Sequence, residues 1–110
     1  MAEFIYRIQP TRVAMLTDGP TERESEVVAL HLQYLKRLAE RGAVRLAGRT
    51  ANDDERTFGI VVLEAGSESD AAEIMLNDPA VVQGVMRAEL FAFRVAVWGA
   101  RPALVPGGRK

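Results

Sequence analysis

Thr21-Glu22-Arg23-Glu24-Ser25-Glu26-Val27-Val28-Ala29-Leu30-His31-Leu32-Gln33-Tyr34-Leu35-Lys36-Arg37-Leu38-Ala39-Glu40-Arg41-Gly42 carries both ends of a helix and its inner face in one run. Thr21 followed three residues later by Glu24 has the form of a capping box, which satisfies orphan amides at a helix start and predicts a helix beginning near Glu22. Val27, Val28, His31, Leu32, Leu35, Leu38 and Ala39 recur at spacings of three and four, while Glu26, Gln33, Lys36, Arg37 and Glu40 fill the opposite side. That is the periodicity of an amphipathic helix. Gly42 suits the left-handed position past its end, with Lys36, Arg37 and Arg41 complementing the dipole there.

Toward the C-terminus, Ala43 to Thr50 reads as a strand, Asn52-Asp53-Asp54-Glu55 as a polar turn, and Thr57 to Glu64 as a strand apolar on both faces. Ser67 or Ser69 can cap a second helix through Ala71, Ala72, Ile74, Met75 and Leu76, which Asp78-Pro79 ends. A short turn from Ala80 to Gln83 precedes Gly84. Residues 86 to 98 read as the longest strand, again apolar on both sides. Toward the N-terminus, Phe4, Tyr6 and Ile8 alternate with Ile5, Arg7 and Gln9 in a first strand, with a resumption at Val13-Ala14-Met15-Leu16 after the break at Pro10. Residues 1 to 99 form the expected domain, and residues 100 to 110, rich in Pro and Gly, an expected mobile tail.

The order β-α-β-β-α-β is that of an α+β, ferredoxin-like fold: a four-stranded antiparallel sheet with both helices on one face. The other face has nothing from its own chain to cover it, yet the third and last strands point apolar residues both ways. A second copy packing sheet on sheet is the simplest cover, so a homodimer is expected.

Composition removes many functions. The chain has 110 residues, 48% hydrophobic and 26% charged, and 14 Lys and Arg against 15 Asp and Glu leave a formal charge of -1. No electrostatic excess is present to track a phosphate backbone, so no nucleic acid is expected as a partner. Absence of Cys and the presence of a single His exclude a disulfide framework, a thiolate zinc site and a cysteine nucleophile; neither metal nor cofactor is expected. Met1-Ala2-Glu3-Phe4 carries an acid where a secretory signal is basic, and no apolar run approaches the roughly 20 residues of a membrane span. A cytoplasmic protein away from membranes is the expectation.

His31 falls near the middle of the apolar stripe when each residue turns about 100° around the helix. A buried imidazole must satisfy its nitrogens. Two readings stand side by side: a core histidine bonded to a backbone carbonyl, or a general acid or base at the floor of a pocket between helix and sheet. Asp78 before Pro79 is explained by helix capping alone. Asp18, Asp53, Asp54 and Asp70 belong to turns or helix starts, and no chemistry attaches to them. Arg7, Arg49, Arg87 and Arg94 lie in expected strands within possible reach of a pocket. Tyr6 and Tyr34 have hydroxyls to offer, although aromatic packing is their commoner use.

Phe4-Ile5-Tyr6, the run from His31 to Leu38 closed by Gly42, Leu46-Ala47-Gly48, and Asn77-Asp78-Pro79 before a short apolar turn and last strand together give the chain its resemblance to the YCII-related (YciI-like) family of small dimeric α+β barrel proteins. The resemblance spans most of residues 3 to 98. It implies a protomer dimerising through its sheets, and a His and an Asp meeting in a pocket as an active site, here His31 and Asp78. Relatives include dehydrochlorinases, and the fold is shared with muconolactone isomerases and cofactor-free monooxygenases, so the resemblance implies proton transfer on a small organic molecule, as in elimination or isomerisation. A non-enzymatic metabolite-binding module fits the same residues. Two departures stand out: Arg49 occupies the place where the family usually has Pro, and Thr11 to Thr21 is longer than usual.

Overall fold

The computed structural model describes residues 1–100. Strand β1 (Ala2–Pro10) is followed by a one-turn helix α1 (Ala14–Thr17), the long helix α2 (Glu22–Glu40), the hairpin strands β2 (Val44–Arg49) and β3 (Gly59–Ala65), helix α3 (Glu68–Leu76), the short α4 (Pro79–Val82) and β4 (Met86–Phe93). The four strands lie in the order β2-β3-β1-β4, every neighbour antiparallel. This is the ferredoxin-like α+β order expected from the sequence.

Side chains alternate across β1 and β3 as a strand period of two requires. Phe4, Tyr6 and Ile8 of β1 and Val61, Leu63 and Ala65 of β3 are buried, and with Leu35 and Leu38 of α2 and Ala71 of α3 they form the main core. Helix α2 begins as its sequence dictates: the Thr21 hydroxyl accepts from the Glu24 amide at 3.1 Å while the Thr21 amide donates to the Glu24 carboxylate at 2.8 Å. Such a cap contributes about 1 kcal/mol. Gly42, at φ +80°, takes the chain out of the helix in the left-handed region. Leu32, at 50% exposure, narrows the buried stripe relative to the expectation.

Two expected strands are corrected. Val13 to Leu16 does not resume β1; Ala14 to Thr17 is the helix α1, because β3 ends its pairing opposite Ile8 and β4 opposite Pro10, leaving no partner edge beyond. Met15 turns instead into a second core with Val27, Ala80 and Val85. The last strand stops at Phe93 rather than 98, since Phe93 already pairs with Glu3 near the start of β1. Beyond it the chain returns across the sheet from the β4 edge to the β2 edge, where the Trp98 ring lies 5.4 Å from the Arg45 guanidinium. The expected mobile tail falls, but for Ala100, outside the described residues. Among the described residues no helix is long and apolar enough to cross a membrane.

On the face away from the helices, Leu46, Val62, Ile5 and Phe91 are cross-strand neighbours in one row spanning all four strands. Leu46 and Phe91 are 56% and 44% exposed.

Candidate active site

Asp78 is the residue around which the polar interior is built. As N-cap of α4 it accepts the Ala80 amide on Oδ1 at 2.9 Å, with Pro79 supplying the fixed φ of the first helical position. Capping alone would leave such an Asp at the surface; here it is fully buried. Its other oxygen, Oδ2, accepts the Tyr6 hydroxyl at 2.8 Å. His31 Nδ1 lies 2.8 Å from Oδ1 and 2.9 Å from Oδ2. All three neighbours act as donors to one carboxylate, which fixes His31 as the tautomer with its proton on Nδ1.

The two residues singled out from the sequence are thus in contact, from α2 and from the α3–α4 junction, 47 positions apart. Tyr6 joins them from β1. The alternation of Phe4, Tyr6 and Ile8 places its ring on the inner face, and the need of a buried hydroxyl for a partner is the one signal in the sequence that points to this contact. Burial, then the charge of Asp78, push the Tyr6 hydroxyl well above its ordinary pKa of 10, so it remains a donor.

His31 also lines a cavity of about 570 Å³. The floor is Ile8, Gly59 and Val61 of the sheet, the roof Ser25, Val28, Leu32 and Leu35 of α2, and Met15 and Leu16 of α1 add to the lining. Gly59 packs closely here, for a Cβ on it would meet Ile8 at 3.0 Å and the Gly48 carbonyl at 3.1 Å, and these neighbours would have to give by a few tenths of an ångström. With Nδ1 turned to Asp78, Nε2 is the nitrogen His31 has left for this space. A volume of this order suits a small organic molecule.

Of the four arginines, only Arg49 lines the cavity, together with Asp53, to which no chemistry had been attached. Arg7 stacks over the Phe58 ring at 5.1 Å, Arg87 reaches the Pro10 carbonyl, and Arg94 lies beyond β4 rather than in it. The Tyr34 hydroxyl donates to the Ile74 carbonyl at 2.7 Å, outside the site. Asp18 is exposed after α1, Asp54 organises its turn by accepting the Arg56 amide, and Asp70 belongs to the first turn of α3. Among the described residues, no three His, Cys, Asp or Glu side chains converge where they could hold a metal.

A ferredoxin-like α+β domain with a buried His–Asp pair beside a cavity is the class that fold and geometry define. The profile of the YCII-related domain matches residues 6–94, and the chain belongs to that family. No curated protein sequence matches it. Among solved structures it is similar to the 5-chloro-2-hydroxyhydroquinone dehydrochlorinase (TftG) from Burkholderia phenoliruptrix AC1100, in complex with 2,5-dihydroxybenzoquinone, with a TM-score of 0.60 and 23% identity over 86% of this chain and 94% of that one.

Proposed function

We propose that this protein is a cofactor-free enzyme in which His31 Nε2 moves a proton on a small organic molecule held in the cavity. One observation carries the reading: a histidine whose Nδ1 is tied to a fully buried, triply bonded carboxylate and whose other side faces a cavity of about 570 Å³. A packing histidine needs no such support. In the reaction Nε2 accepts a proton from a substrate carbon. In an elimination, the C–H pair becomes the double bond and the leaving group departs with its own pair; in an isomerisation, the imidazolium returns its proton at another carbon. Asp78 balances the charge that appears on the ring, while Tyr6 and the Ala80 amide keep the carboxylate in place. General acid–base help of this kind is worth about 10²- to 10⁴-fold. Membership of the YCII-related family and likeness in fold to a dehydrochlorinase support the reading.

The test pairs turnover with binding in His31→Asn. Chloride release from chlorinated hydroquinones, and proton exchange or isomerisation of small lactones, are assayed beside ligand affinity. Turnover lost with affinity and fold kept is the expected result; affinity lost with no turnover in the wild type would make the protein a metabolite-binding module. The row Leu46, Val62, Ile5 and Phe91 supports a homodimer packed sheet on sheet. Sedimentation at micromolar concentration is expected to give twice the chain mass.

A further inference from the structure

Arg49 stands on the helix-facing side of the sheet. It pairs with Gly59, which pairs in turn with Ile8, and cross-strand partners share a face. Gly59, which has no side chain, is the residue between Arg49 and Ile8 in this row, and all three line the cavity. The guanidinium is held by its own hairpin: Nε donates to the Thr50 carbonyl and Nη2 to the Asn52 carbonyl, each at 2.9 Å. Its only carboxylate partner among the described residues is Asp53, on Nη2, and both members of that pair are about half exposed. Nη1 makes no hydrogen bond among the described residues. An arginine fixed by carbonyls, with donors left over and a counterion free to swing into water, is prepared for exchange of one carboxylate for another.

Besides Arg49 and Asp53, His31 is the one ionisable side chain lining the cavity among the described residues, and the rest of the lining is largely apolar. Arg49 on β2 and His31 on α2 line one cavity of about 570 Å³, a volume suited to one ring and a substituent. We propose that Arg49 forms an anion subsite at the cavity mouth, so that the molecule acted on is a ring-sized apolar acid with its carboxylate or similar anionic group on Arg49 and its reacting carbon toward His31. Asp53 occupies the subsite when it is empty and is displaced by the ligand. The assignment rests on the proton-transfer reading only in naming which end of the ligand reacts.

Benzoate and benzamide, alike in shape and different in charge, are the probes, with binding followed by NMR. The wild type is expected to favour benzoate, and Arg49→Gln to weaken benzoate about tenfold or more, as loss of a charge-assisted pair does, while leaving benzamide unchanged. Asp53→Asn, which removes the competitor, is expected to tighten benzoate. Equal affinity for the two probes, or benzoate binding indifferent to Arg49→Gln, overturns the subsite. His31→Asn separates the two readings: it is expected to bind benzoate as the wild type does, so the subsite can fail while proton transfer stands, and the reverse.

Discussion

Two side-chain pairs, each with a member lining the same cavity, are built in opposite ways. His31 and Asp78 are 7% and 0% exposed in their side chains; Arg49 and Asp53 are 50% and 57%. The inner pair is fixed from three elements, with Tyr6 from β1 and Ala80 from α4 completing the carboxylate. The outer pair is local, four residues apart on one hairpin, and water competes for it. Exposed pairs of that kind are worth little, about 0 to 1 kcal/mol, whereas a buried carboxylate must keep all its donors or become a liability. Burial therefore divides the labour: the inner pair holds one geometry, and the outer pair is free to exchange partners.

Asparagine substitution at the two acids breaks this comparison most sharply. Asp78→Asn offers His31 an amide, whose NH₂ can donate to Nδ1 and send the ring proton to Nε2, where it blocks the base. Turnover is expected to fall about 10²- to 10⁴-fold, as wrong-tautomer substitutions do in other His–Asp systems. With one imidazole in the chain, the ¹⁵N spectrum reads the tautomer directly, and an unchanged Nδ1–H pattern would refute the argument. Asp53→Asn, by contrast, is expected to leave kcat close to wild type.

Tyr6→Phe probes the support of the inner pair without touching the cavity. It removes a hydrogen bond to a buried charge, so unfolding in urea followed by circular dichroism is expected to show a loss of about 1.5–3 kcal/mol at neutral pH. The pH dependence has a definite sign. The folded hydroxyl titrates above its ordinary value of 10, so its contribution is fully present below pH 10 and is lost as pH rises beyond it. The gap between wild type and Tyr6→Phe is expected to narrow above pH 10; a constant gap would mean that neither burial nor the charge of Asp78 raises the hydroxyl in the folded state.

The inner pair was half legible in the sequence. Period and capping place His31 on an inner face and Asp78 at a helix start, both local properties, and the order of elements follows from them. That the two meet is a property of the β-α-β-β-α-β connection and came from resemblance to a family rather than from spacing. Tyr6 was readable as buried but not as bonded, because alternation gives the face of a side chain and never its partner. The misread segments have one cause: Val13 to Leu16 and Arg94 to Trp98 have strand-like composition, but whether a strand forms depends on a neighbouring edge, and the sheet offers none there. Asp53 looked like an ordinary turn acid, and what makes it notable is the cavity beside it.

The smallest effect belongs to a third pair, intermediate between the other two. Arg12, 45% exposed in its side chain, donates from Nε and Nη2 to both oxygens of Glu24, which is 10% exposed and closes the capping box of α2. The Arg12 hydrogen bonds first, and the Thr21 amide second, hold the Glu24 carboxyl down at about 2, against an ordinary 4.5. A lowered acid stabilises the folded state above its unfolded pKa and ceases to do so as pH falls through its folded one. Arg12→Ala is thus expected to lower stability slightly at pH 7, with the difference from wild type shrinking between pH 4.5 and pH 2 and gone below that. A difference that stayed constant to pH 2 would assign the effect to lost packing of the Arg12 stem and place this pair with Arg49–Asp53, as a surface contact rather than a part of the frame.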